Sequence, residues 1–394
     1  MKSKTKIISV VLFLSAFILL VSCQKQKVEW KGTIEEVNGI TFIKNPENPI
    51  SNNAGREMKL TEVLRITDVG DEYYFENPKD IKVAPDGSIY VNEKAQFLQF
   101  SKDGKFLHNY FKKGQGPEEV TGIRHYWLSD KDIFLQNDAP PKILRFRFDG
   151  RYIEETTIRQ RLYFPKFLLY HNERFYFIQP ELPNFEGMSS IVNVKQKLIS
   201  ISHDGRDMSE LFSFSTREYW VRMSWGGRGI IHIDELKAVP FQNKFLVVSH
   251  TQEYLLKIYD VEANQIIRMF KREYSRARLT KEFELEKTSG LSDKGKPIKV
   301  PGLDYHDDVR EIFLNNNRIW IMTSTVDKDK GTQFDAFDFN GKYVDCFYIK
   351  LPDKFRGKIY GKWHMAVEDD FLYTIEQDSE GAYSLVKYKI EDAV

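Results

Sequence analysis

An all-β ring of six repeated units, the last closed by a strand lent from the N-terminal side, is the fold this sequence predicts. Three observations predict it. The stretch Asn77–Glu119 sets four strand-like runs around Asp-Gly turns at Asp86-Gly87 and Asp103-Gly104. Asp-Gly between alternating apolar runs favours tight hairpins, because glycine accepts φ > 0 without a steric penalty. Degenerate copies of this unit return along the chain at roughly blade length, as in a β-propeller. Aromatic residues make up 14% of the chain, with 29 Phe and 20 Tyr, a composition that favours strands.

The elements follow in order. Residues 1–22 read as a targeting segment, with Lys2, Lys4 and Lys6 ahead of an apolar run, Ile7–Val21, that is too short and wrongly flanked for a membrane span. The run ends in Leu20-Val21-Ser22-Cys23, which resembles the lipobox of bacterial lipoproteins. That resemblance implies removal of the first 22 residues and lipidation of Cys23, with several acyl chains giving firm membrane anchoring. Residues 23–54 read as a tether and lead-in, and 55–394 as the propeller. Within the lead-in, Trp30–Glu36 is expected to pair with Gly39–Lys44 before Asn45-Pro46 and Asn48-Pro49 break the chain.

The first copy of the repeat is Asn77–Glu119, the second spans about Thr121–Thr157 and the third about Phe164–Phe214. The fourth covers Ile233–Tyr274, the fifth Asp308–Ile349 and the sixth Gly361–Ile390. The sixth stops after three strands. Glu57–Ile66 is strand-like and can supply the fourth by pairing with Tyr383–Ile390, which would close the ring and cover its edges. A β-sandwich with a second β-domain is the other architecture, and the regular return of the unit argues against it. Ser275–Lys287 is the one stretch with helical residues and spacing.

The pattern of the first copy, ending in Gly114-Gln115-Gly116-Pro117-Glu118-Glu119, resembles the NHL-repeat type of six-bladed β-propeller. In particular it is similar to envelope lipoproteins of Bacteroidota, over residues 30–157. The resemblance implies a fold and an address, since most such proteins have no assigned activity. Acidic residues after the lipidated Cys resemble a surface-export signal in that phylum. Here Gln24-Lys25-Gln26-Lys27 follows, which points to the outer membrane with the protein facing the periplasm.

The charge balance, 58 basic against 57 acidic residues, excludes a global electrostatic drive towards nucleic acid. With Cys23 lipidated, Cys346 is the sole remaining thiol, so neither a disulfide nor a cysteine metal site is available. Gly114-x-Gly116-Pro117 is not a phosphate loop, because Pro117 and the lack of a following helix remove the amides that would cradle an anion.

Propeller topology points to one working face. The loops between the second and third strands of each blade share a face with the connections between blades, and the insertions fall there: Gly114–Thr121, Pro140-Pro141, Leu182–Lys195, Ser215–Ile231, Ser275–Tyr305 and Asp327–Gly331. The Ser215–Ile231 insertion offers Arg217, Trp220, Arg222, Trp225 and Arg228 as contact anchors, or its Trp rings merely cap the blades. Lys271–Val300, rich in Lys and Arg, reads as a solvated segment or a docking arm. Aligning the copies on their first turns brings Asp80, Arg124, Lys166, Leu236, Arg310 and Trp363 to one level near the channel mouth, followed by His125, Glu311 and His364. Three cations there would favour an anionic ligand, and the competing reading is salt bridges between blades.

The expected function is a non-catalytic binding scaffold with no cofactor, anchored by lipid in the envelope and presenting one face to a protein, peptide or glycan. The alternative is a metal-dependent, lactonase-like hydrolase or lyase at the channel mouth, holding calcium or zinc with His125, His306, His364, Asp80, Asp307 and Asp308, although no spacing makes these a site.

Overall fold

The computed structural model describes residues 29–93, 95–181, 189–224, 227–288, 292–293, 296–353, 355 and 364–393. The targeting segment, Cys23, Trp225 and Trp363 lie outside the described residues.

Six blades of antiparallel strands follow one another around a ring. Their innermost strands are Lys79–Val83, Ile123–Leu128, Lys166–His171, Leu236–Phe241, Glu311–Asn315 and Met365–Glu368. The seams between blades are filled by aromatic side chains. Between blades 1 and 2, Phe97 meets Tyr126 edge-on at 4.6 Å and Tyr110 meets Phe146 at 5.4 Å. Each ring buried this way contributes about 1.5–3 kcal/mol relative to exposure. The Asp-Gly turns take the geometry their sequence suggests. Gly104 has φ 84°, and a Cβ there would also meet the Leu64 side chain at 2.7 Å, so two constraints select glycine.

Three strands precede blade 1: β1 (Thr33–Val37), β2 (Ile40–Asn45) and β3 (Arg56–Ile66). β3 is the fourth strand of blade 6. It runs antiparallel to Tyr383–Asp392, with Ile66 opposite Leu385 and Met58 opposite Asp392. The same strand begins by pairing in parallel with the outer strand of blade 5, Arg56 opposite Phe347.

β1 and β2 form the expected hairpin, but residues 33–55 do more than lead in. β2 pairs in parallel with the outer strand of blade 4, Thr41 opposite Arg268 and Asn45 opposite Arg272. The chain then crosses to blade 5, where the amides of Ile50, Ser51 and Gly55 donate to the carbonyls of Tyr343, Val344 and Cys346. Asn45 locks the crossing. Its amide donates to the carbonyls of Lys271 and Gly341, and its oxygen accepts from the Tyr343 amide and the Trp30 indole. The N-terminal segment is thus a strap over the outer edges of blades 4, 5 and 6.

Three further expectations change. The helix, α1 (Lys281–Lys287), starts six residues later than the periodicity suggests. Residues 190–195 and 215–222 are strand rather than loop, because the third and fourth strands of blade 3 run on as Ser190–Ser202 and Met208–Arg222, and Arg228–His232 adds a fifth. Pro140-Pro141 is part of a tight hairpin in blade 2, with Pro141 opposite Asp138, and not an insertion.

A buried ion pair ties the outer strand of blade 4 to the third strand of blade 5. Asp335, fully buried, accepts from Arg272 Nε at 2.8 Å, from Tyr343 at 2.7 Å, from Gln333 at 2.8 Å and from the Tyr254 hydroxyl. The Arg272 guanidinium lies over the rings of Tyr254, Tyr274 and Tyr343 at 5.0–5.2 Å. Removing one partner strands the other charge in a dry site. Asp335→Asn is therefore expected to lower stability by about 3–5 kcal/mol in urea unfolding, and the double variant Arg272→Met/Asp335→Leu to recover most of it.

Candidate functional site

The six innermost strands enclose a channel cavity of ≈ 320 Å³. Strand pairing fixes which residues stand level at its mouth. Ile81, Tyr126, Phe167, Ala238, Ile312 and Met365 lie opposite equivalent second-strand positions, Val91, Leu135, Phe177, Val248, Ile321 and Thr374. One residue ahead of them come Asp80, His125, Lys166, Lys237, Glu311 and His364. Asp80 and Lys166 thus sit where the sequence alignment puts them, and the other four copies are displaced by one residue.

The displacement changes the charge of the mouth. Asp80, His125, Lys166 and Glu311 line the cavity. Arg124 bulges out between Ile123 and His125, pairs with Asp138 and stacks on Phe164 at 5.6 Å, facing a separate groove of ≈ 220 Å³ between blades 2 and 3. Arg310 precedes its strand and does not line the cavity, and its amide donates to the Met322 carbonyl. His364 is buried beside the mouth. Of the three expected cations, only Lys166 reaches the channel.

Sequence reasoning missed Lys237. It is buried and pairs with Glu311 across the seam between blades 4 and 5, at 3.4 Å. Burial alone would lower the Lys237 pKa, but the carboxylates of Glu311, Glu235 and Asp307 outweigh it and hold it above the ordinary value. Asp80 has φ 54°, a strained conformation for a residue other than glycine, at a bulge in its strand. Lys82 approaches its carboxylate at 3.7 Å and lies over the Tyr126 ring at 4.0 Å. Among the described residues, no group of three or more His, Cys, Asp or Glu gathers as a metal site.

The other end of the channel is apolar, with Val83, Leu128, Pro240 and Leu314 in its wall. Glu368 stands among them. Burial, reinforced by the neighbouring Asp369 carboxylate, raises its pKa from 4.5 to about 7.

The loop face is built from two insertions that pack on each other. In the extended hairpin of blade 3, Val221, Met223, Ile231 and Ile233 form a small core with Ile298, Val300 and Leu303 from the segment before blade 5. Two cations of that segment are paired, Lys287 with Asp307 at 2.8 Å and Arg276 with Asp308 at 2.9 Å, whereas Arg278, Lys281 and Lys296 are exposed. Trp220 is buried on the opposite side of the hairpin, where its indole donates to Glu218 at 2.7 Å, and Glu218 also holds His232 at 3.1 Å. That contact holds the His232 pKa above its ordinary value. Trp220 is therefore part of the hairpin's own packing and not an exposed anchor. Arg217 pairs with Asp234 at 3.0 Å. Arg222 is exposed, opposite Arg228 in the register; the Arg228 side chain and Trp225 lie outside the described residues.

A family model, DUF5128, described as 6-bladed beta-propeller, matches residues 56–215. The fold is a six-bladed β-propeller. No curated protein matches the chain. Among solved structures, a member of the DUF4221 family from Bacteroides vulgatus superposes with a TM-score of 0.52 at 12% identity, covering 86% of this propeller and 99% of that chain. A Bacteroides fragilis protein described as exported gives 0.45 at 14% identity, covering 89% and 100%. A gluconolactonase from Xanthomonas campestris gives 0.38 at 11% identity, covering 83% and 98%. At these identities the likeness is one of fold.

Glu368 makes the stability of the propeller depend on pH. The folded carboxyl keeps its proton up to about 7, whereas the unfolded one releases it near 4.5, so the folded state binds more protons in between. Stability then falls as pH rises through that window. Glu368→Gln is expected to melt higher than the parent at about pH 8, by about 1–2 kcal/mol after allowing for partial exposure, and to melt alike near pH 4. Thermal melts at both values check this.

Proposed function

We propose that this chain is a lipoprotein of the bacterial envelope, of the NHL-repeat-like kind, lipidated at Cys23 and facing the periplasm from the outer membrane. On this reading it holds a protein, peptide or glycan partner on its insertion-bearing face and does no chemistry of its own. The supporting observation is the shared core of the two insertions. A propeller does not need Val221, Met223 or Ile231 to pack on Ile298 and Leu303 in order to close, yet the chain orders both insertions into one body on the face where the innermost strands begin.

The surface there has the makings of a contact site. Phe164, Ile191 and Ile230 are exposed, and Arg222 stands in solvent beside Ile230's strand. The opposite face carries short polar turns such as Asp103-Gly104 and Asn316-Asn317. The charge of the channel mouth no longer favours an anionic ligand, because Arg124 and Arg310 do not line it and Glu311 does.

The test is site-specific photo-crosslinking in the native envelope. A photoreactive residue at Arg222 is expected to trap a discrete partner, and one at Lys102, on the short-turn face, to trap none. Trapping from Lys102 but not from Arg222 would overturn the assignment of the face.

A further inference from the structure

The partner proposal leaves the channel unused, and the channel has an uncommon asymmetry. At the mouth, charges are paired with charges: Lys237 with Glu311, and Lys82 beside Asp80. Further in, Lys82 stands level with Trp127, Val239 and Phe313, its ammonium turned back to the Asp80 carboxylate and the Tyr126 carbonyl, and the rest of the wall there is apolar and aromatic. At the far end Glu368 also lines it, and among the described residues its carboxylate has no hydrogen-bond donor and no ion pair. Its close charged neighbour, Asp369, has the same sign. A carboxylate in an apolar wall without a cation is costly unless a cation arrives from outside.

The surroundings of that end favour such an arrival. The six turns that join innermost to second strands ring the exit of the channel. They carry Asp86, Asp130, Glu173, Asp369 and Asp370 against Lys131 and Lys244, and Lys244 is already engaged by Glu262 at 3.4 Å. An acidic ring around an apolar bore concentrates cations. The bore itself suits a hydrocarbon body, and its aromatic walls tolerate a passing ammonium.

We propose that the channel binds an amphiphilic organic cation, an amine on an aliphatic body, with the ammonium against the Glu368 carboxylate and the body along Val239 and Phe313. Ligand and carboxylate each supply what the other lacks, a counter-charge for Glu368 and a dry wall for the alkyl chain. The site lies towards the short-turn end and is separate from the face proposed for the macromolecular partner, so failure of one leaves the other standing.

Isothermal titration at about pH 8 tests it with three probes of one length: hexylammonium, 1-hexanol and hexanoate. The expected result is saturable binding of hexylammonium, about tenfold or more tighter than hexanol, and none of hexanoate. Glu368→Gln, its fold checked by circular dichroism, should weaken hexylammonium about tenfold while leaving hexanol unchanged. Val239→Trp, which fills the bore and leaves the carboxylate in place, should abolish both. Equal affinity for hexanol and hexylammonium, or unchanged hexylammonium binding in either variant, would overturn the proposal.

Discussion

The pairing of β3 with Tyr383–Asp392 is the contact on which the rest of this molecule depends. A propeller is a ring, and each blade buries its faces only against two neighbours. If blade 6 lacked its fourth strand, Tyr383–Asp392 would be an exposed edge and the seam to blade 1 would lose Leu64 and Ile66, which pack with Tyr73, Ile81 and Phe100. Joining the two ends of the chain costs loop-closure entropy that grows only slowly with length, as about (3/2)RT ln n. A ladder of backbone bonds with a buried Ile66 offsets it. Gly104 fits this account, since it leaves room for Leu64 at the back of blade 1.

The strap extends the same device. By running β2 along blade 4, the next residues along blade 5 and β3 into blade 6, the N-terminal segment covers three outer edges that would otherwise present unpaired amides and carbonyls. Beneath it, Asp335 and Arg272 hold the seam of blades 4 and 5 with a charge pair enclosed by tyrosines. A ring fastened in this way can carry long insertions on one face without loosening, and can keep an unpaired carboxylate in its bore.

Much of this was legible in the residues. The Asp-Gly turns are legible because glycine takes φ > 0 without a steric penalty, and Glu57–Ile66 is legible as the missing strand because the last copy is short. The channel mouth was not legible. Arg124 is squeezed out by a bulge, and a bulge leaves no trace in an alignment made on turns. Nothing in the sequence around Lys237 marks it, since its partner Glu311 lies in another blade. The blade 3 hairpin does carry a strand signal in its residues: Tyr219, Val221 and Met223 alternate with Glu218, Trp220 and Arg222, the period of a strand. Asn45 read as a chain breaker, and its four hydrogen bonds come from residues more than two hundred positions away as well as from Trp30.

The most direct measurement is the thermal unfolding of two shortened chains, one beginning at Arg56 and one at Asp68. The first keeps β3 and loses the strap and the β1–β2 hairpin; the second loses β3 as well. If closure by β3 governs the ring, the first unfolds in a single cooperative transition at a lower temperature than the chain with its strap, and the second shows no cooperative transition. A second chain that unfolds cooperatively at the same temperature as the first would contradict the account.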